Sequence, residues 1–311
     1  MNRKALSQLA LPLLGLLLVG LLALLNLNRS HTLPSLVEVS VILREDSTFS
    51  ATRQGMEQAA ADLNVELRFL APSAENSAQE QAQLLSREVE SGAAAVLLVP
   101  ADREALAESV GAAQGQAVVV TLETDMTAQG ARAFLGADNQ ALGEALGRAV
   151  LNGAAPGDTV LLLDSLTGDN AIRERLEAAA ALLEREGRTP LIHRPEDPAL
   201  EDYLPSHPVQ AILAFEALAL ERAAEAARSL EGFPLLYGAG STPAIAAGLE
   251  QNRVTAIAAL NNFSAGYLAV QSAAALVRRQ TPPESAPLPF RLLRQETMYE
   301  PENQKLLFPV T

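Results

Sequence analysis

The sequence predicts an α/β protein: two doubly wound lobes, each on a parallel sheet, preceded by one N-terminal transmembrane helix. Three observations carry this. From Val37 onward, short apolar runs alternate with amphipathic helical stretches at βα spacing. These runs fall into two successive sets. Ahead of them, Leu9 to Leu27 contains no charged residue.

That first segment, LALPLLGLLLVGLLALLNL, follows Arg3 and Lys4. It sits at the lower edge of the roughly 20 residues that span a bilayer as a helix. It ends in NLNRSHTLPS, with no A-x-A-like cleavage pattern and no cysteine for lipidation. The reading is an uncleaved signal-anchor over residues 1–30 with a linker over 31–35; the alternative is a cleaved signal peptide and a secreted or periplasmic product. The basic flank stays cytoplasmic, so the C-terminal domain is expected outside a single-pass cell membrane anchor.

The first set of expected strands is VEVSVIL, VELRFL, AAVLLV, AVVVTL and ARAFLG. The second is TVLLLD, TPLIH, VQAILAF, FPLLYG and VTAIAA, with a late strand PFRLLR after the proline-rich QTPPESAPLP. Their continuous apolar character suits parallel sheets covered on both faces. Between them lie Ala- and Glu-rich segments such as SATRQGMEQAAADL and NAIRERLEAAAALLEREG, good helix formers.

Composition narrows the function. A net charge of −14 without a Lys/Arg stripe repels phosphate backbones and speaks against nucleic acid. The absence of cysteine removes disulfides, thiolate catalysis and Cys-based zinc sites. His31, His193 and His207 have no metal-ligand neighbour at helical spacing, so neither metal nor cofactor is expected. No G-x-S-x-G, P-loop, H-E-x-x-H or G-x-G-x-x-G occurs, and no enzyme activity is expected.

Ligands of open α/β sheets sit at the carboxyl ends of strands. The loop within VILREDSTFSATRQGM, Arg44 to Phe49, lies at such an end and is the first candidate binding element. Arg44 is either a pocket cation or the ion-pair partner of Glu45 or Glu123. Asn261, Asn262 and Phe263 follow VTAIAA and serve either solute contact or helix capping.

Taken in order, several segments resemble the type I periplasmic binding proteins. The resemblance is to the ribose-binding-like branch shared with lactose-repressor-type sensor domains. They are the opening strand, loop and Gly55 helix, VLLVPAD, VVVTLETD, LGADNQALGEALG, TGDNAIRERLEAA, VQAILAF and LYGAGSTPAIAAGLEQN, and the match runs from about Val37 to Pro301. The resemblance implies two lobes joined by a multi-strand hinge and closing over a small solute, often a sugar. The first lobe would comprise residues 36–137 plus 260–289, the second 138–259 plus 290–311. It implies ligand contacts at Asp46, in place of an asparagine, and Phe49, the second of two stacked aromatics, with Thr48 replacing the first. Arg173 keeps the second-lobe arginine, and Glu123 and Thr124 stand where the family has Asp-Arg, with Asp125 beside them. Phe215 and Glu216 occupy an Asn-Asp region, while Val99, Gly240 and Ala259 replace polar residues. These departures point away from ribose itself.

Three roles follow from the resemblance. One is delivery of a sugar-like solute to an ABC permease. Another is sensing through a membrane partner such as a histidine kinase. The third is a degenerate docking module that no longer binds solute.

Overall fold

A computed structural model of the chain describes residues 36–45, 50–166, 168–229, 232–283 and 287–308. The expected membrane anchor, residues 1–30, lies outside these, as do Asp46 and Phe49. Among the described residues no helix is long and apolar enough to cross a membrane.

Strands β1 (Val37–Ile42), β2 (Val65–Leu70), β3 (Ala95–Leu98), β4 (Val118–Leu122) and β5 (Ala133–Leu135) form one sheet in the order β2-β1-β3-β4-β5. All its pairings are parallel. The second sheet contains β6 (Thr159–Leu163), β7 (Thr189–His193), β8 (Ala211–Ala214), β9 (Leu235–Ala239), β10 (Ala256–Leu260) and β11 (Phe290–Leu293). Its order is β11-β10-β9-β8-β6-β7, so strands β6 to β10 repeat the topology of β1 to β5, and β11 is added at the edge. The expectation of purely parallel sheets is corrected at one edge, where β11 runs antiparallel to β10.

Helices cover both faces of each sheet. In the first lobe they are α1 (Ser50–Leu63), α2 (Ala78–Glu90) and α3 (Arg103–Ala113). The second lobe carries α4 (Asn139–Leu151), α5 (Asn170–Arg185), α6 (Leu200–Tyr203), α7 (Ala217–Ala226) and α8 (Pro243–Glu250). Helix α9 (Asn262–Val277) follows, and α10 (Pro301–Leu307) closes the chain. Alternate strand residues feed opposite cores, as the two-residue period of a strand requires. Ala95, Leu97 and Val99 join one cluster, Val96 and Leu98 another. Leu161 and Leu163 are likewise separated from Val160 and Leu162 in the second lobe.

The chain crosses between the sheets after β5, after β10 and before β11. A bond from the Leu288 amide to the Gly136 carbonyl (2.8 Å) stitches the first and third crossings together. After the second crossing α9 returns to the first lobe, where Ala269, Val270 and Ala273 pack with the strands of that sheet. It lies on α1 with backbone against backbone. A Cβ on Gly55 would stand 1.9 Å from the Phe263 carbonyl oxygen, and one on Gly266 equally close to that of Thr52. Helices α4 and α5 meet in the same manner at Gly143, where a Cβ would stand 2.1 Å from the Arg175 carbonyl oxygen.

Candidate functional site

The carboxyl edges of the two sheets face each other across a cleft, and the helices that begin there are capped from the cleft side. Asp102 caps α3, Asp169 caps α5, Glu216 caps α7, Thr242 caps α8 and Asn261 caps α9. Each cap accepts one or more amide N–H groups that the helix leaves unpaired. Of the two uses open to the hinge asparagines, Asn261 takes the cap and Asn262 lines the cleft.

Between the lobes lies a cavity of about 110 Å³. Arg44, Glu123 and Thr52 line it from the first lobe, Arg175, Glu216 and Gly240 from the second, with Asn262 at a crossing. This is below the roughly 300–1,000 Å³ of ordinary ligand pockets. No aromatic ring lines it among the described residues.

Arg44 stands two residues beyond β1 with its side chain 8% exposed. One guanidinium nitrogen donates to Glu123 (2.7 Å) at the end of β4. A second pairs with Asp169, whose side chain is 1% exposed. Arg44 thus both lines the cavity and pairs with Glu123, and it reaches a second carboxylate across the cleft. Glu123 has a backbone φ of +64°. The Thr124 amide donates back to the Leu122 carbonyl (2.7 Å), closing a three-residue γ-turn with Glu123 at its centre.

Arg175, in the second turn of α5, is buried. Its Nε donates to Asn139 Oδ1 (2.8 Å) and another guanidinium nitrogen to the Phe215 carbonyl (2.9 Å). Both partners are neutral. Burial lowers its pKa from the usual arginine value, and the Glu123 carboxylate opposes that shift. Glu216 accepts the Leu218 and Ala219 amides (2.6 Å each). Burial raises its carboxyl pKa above the usual range, against the lowering effect of those two bonds. The cavity wall thus presents fixed donors and acceptors of both signs, suited to hydroxyl-rich solutes.

The other expected residues lie elsewhere. Arg173, two residues from Arg175, is 46% exposed and pairs with Glu104 across the cleft rim (3.5 Å). Asp125 is exposed and accepts the Thr127 amide (2.8 Å). The Phe215 ring is buried in the second-lobe core, and only its carbonyl reaches toward the site.

Rim contacts join the starts of α3 and α5. The Arg103 amide donates to Asn170 Oδ1 (2.7 Å), Asn170 donates to Glu104 (3.0 Å), and the Arg103 guanidinium donates to Glu174 (3.0 Å). Arg175 and Thr52 are polar cavity residues that the motif reading missed, and for Arg175 the signal was present. Ile172, Leu176 and Ala179 form the buried stripe of α5, and position 175 falls inside that stripe.

The family profile described as periplasmic binding protein domain matches residues 37–281. No curated protein sequence matches the chain. Among solved structures, a carbohydrate transporter solute-binding protein from Agrobacterium radiobacter, in complex with D-arabinose, superposes with a TM-score of 0.80 at 16% identity. The match covers 88% of this chain and 99% of that one. An ABC transporter solute-binding protein from Agrobacterium vitis with bound D-fucose gives a TM-score of 0.80 at 16% identity over 88% of this chain and 100% of that one. A chain of the XylFII–LytSN complex gives a TM-score of 0.77 at 14% identity over 85% and 99%. At such identities the likeness is one of fold.

Proposed function

The chain belongs to the periplasmic binding protein domain family, and from that premise we propose that it is an extracytoplasmic solute-binding protein for a small, hydroxyl-rich, sugar-like solute, tethered to the membrane by Leu9–Leu27. The observation that carries this reading is the charged cavity between the facing carboxyl edges. Arg44 and Glu123 enter it from one lobe, Arg175 and Glu216 from the other, with Asn262 at the crossing. A solute held there touches both lobes at once. The sugars bound to the Agrobacterium neighbours support the carbohydrate class. Asp46 and Phe49, in the sequence that follows β1, complete the proposed contact set.

The test is thermal unfolding against pentoses, hexoses, polyols and acidic sugars. A solute at 100 times its Kd adds about 2.7 kcal/mol. For a protein of this size that raises Tm by roughly 5–10 °C. No shift across the panel would remove the sugar reading.

A second reading concerns the partner. One neighbour occurs in a complex, XylFII with LytSN, which favours a domain that reports its state to another protein. We therefore carry two membrane partners, an ABC permease or a sensor histidine kinase. Co-purification of the full chain with one and not the other decides between them.

A further inference from the structure

A second concavity opens on the second lobe, at the carboxyl ends of β6 and β7, the edge where open α/β sheets hold their ligands. Its volume is about 480 Å³, against about 110 Å³ between the lobes. That lies within the roughly 300–1,000 Å³ of ordinary ligand pockets. One wall is the loop between β7 and α6, which its own bonds hold in place. The Arg194 amide donates to Asp197 Oδ2 (2.8 Å), the Asp197 amide to the Arg194 carbonyl (3.0 Å), and the His193 ring bonds the Pro198 carbonyl through Nε2 (2.9 Å). Another wall is α7, whose Ala217 lines the cleft cavity while Ala219 and Arg222 line this one.

Charged side chains of both signs line this concavity and leave one another unpaired. Asp164, directly after β6, is partly buried, and among the described residues its carboxylate has neither a hydrogen bond nor an ion pair. Burial raises its pKa, and nearby Arg194 opposes that shift. The guanidinium groups of Arg194 and Arg222 are exposed and likewise form no side-chain bond among the described residues. Of the other carboxylates here, Asp197 is engaged by the Arg194 amide and Glu201 is exposed. A carboxylate that has lost water without gaining a partner is costly, and an occupant that supplies a cation removes that cost. We propose that this concavity binds a small zwitterion, an α-amino acid with an apolar side chain. Asp164 takes the ammonium group, Arg194 and Arg222 take the carboxylate, and the side chain lies on Pro195, Pro198 and Leu200. A planar guanidinium matches a carboxylate with two parallel bonds. Such a site rejects a ligand lacking either charge, because one of its own groups is then left unpaired. The proposal goes beyond the sugar-like reading and uses none of its residues.

The test is titration calorimetry on the full chain in detergent with L-leucine as the probe. Beside it stand two analogues that keep one charge each, isocaproate and isoamylamine. L-leucine is expected to bind saturably, and each analogue at least about tenfold more weakly, the worth of one charge-assisted hydrogen bond. Asp164→Asn, and Arg194→Gln combined with Arg222→Gln, weaken leucine binding by at least the same factor and leave the response to sugars unchanged. Arg175→Lys, in the cleft, leaves leucine binding unchanged. Absence of saturable leucine binding overturns the proposal, as does an analogue that binds as tightly as leucine. So does leucine binding that survives Asp164→Asn and is lost in Arg175→Lys, which places the amino acid in the cleft. The analogue comparison needs only the unsubstituted chain, so it decides even if a variant fails to fold. Failure of the sugar reading is separate: it is the absence of any thermal shift with sugars, and leucine binding does not depend on it.

Discussion

Glu123 holds a backbone conformation that a side chain with a Cβ adopts only at a cost, at a φ of +64°. Such strain persists where surrounding structure fixes it, and it gathers at binding sites. Here the γ-turn points a carboxylate at Arg44, and its own carbonyl is held by Asn139 Nδ2 (3.1 Å). Glu123→Gly and Glu123→Ala both remove the carboxylate, so their difference isolates the backbone. The glycine variant should be more stable by about 1–2 kcal/mol in urea unfolding; equal midpoints would refute the strain. The arginines of α5 give a second test at this scale. A lysine keeps the charge but loses the planar fork. Arg175→Lys should weaken sugar binding by roughly tenfold or more, the worth of one charged hydrogen bond. Arg173→Lys, with its side chain half in solvent, should change it little. The reverse order, read by titration calorimetry, would return the site to Arg173.

Elements carry that geometry through close helix contacts. At Gly143 the α4 backbone touches the residue that bears the site guanidinium. Gly143→Ala should destabilise by about 1–3 kcal/mol as an overpacked contact and also weaken sugar binding, since Arg175 must shift. One turn along, a Cβ on Gly147 would crowd the Leu182 side-chain end (2.9 Å), which can move, and would stand 3.4 Å from the Ala179 Cα, far looser than the contact at Gly143. Gly147→Ala should therefore cost less and leave binding intact; equal binding losses would show that the crossing does not position Arg175. The strands were legible in the sequence because a strand buried on both faces is a short apolar run whatever its neighbours are. VLLL of β6 and AILA of β8 need no context to be read. The direction of β11 was not, since FRLL has the same form in either orientation and only its pairing with β10 decides. Arg173 and Arg175 were hard to separate for a related reason. Two residues on a helix turn by about 200°, so neighbours in a motif face opposite ways.

At the scale of the whole molecule, the two lobes could be read from the repetition of the strand pattern, and the structure gives β1 to β5 and β6 to β10 the same order. What the sequence could not supply was the bridging of the lobes by Arg44 and Asp169. These residues are far apart along the chain, and their meeting depends on how two sheets face one another. The locked crossing of α1 on α9 has a mechanical consequence. Helix α9 is seated on the first lobe through backbone contact at Gly55 and Gly266, while β10, immediately before it, belongs to the second sheet. At this crossing any rotation of one lobe against the other is concentrated in the few bonds between Leu260 and Asn262. Asn262 also lines the cavity. A solute seated against it bears on the axle itself, where a small displacement becomes a large sweep at the rim.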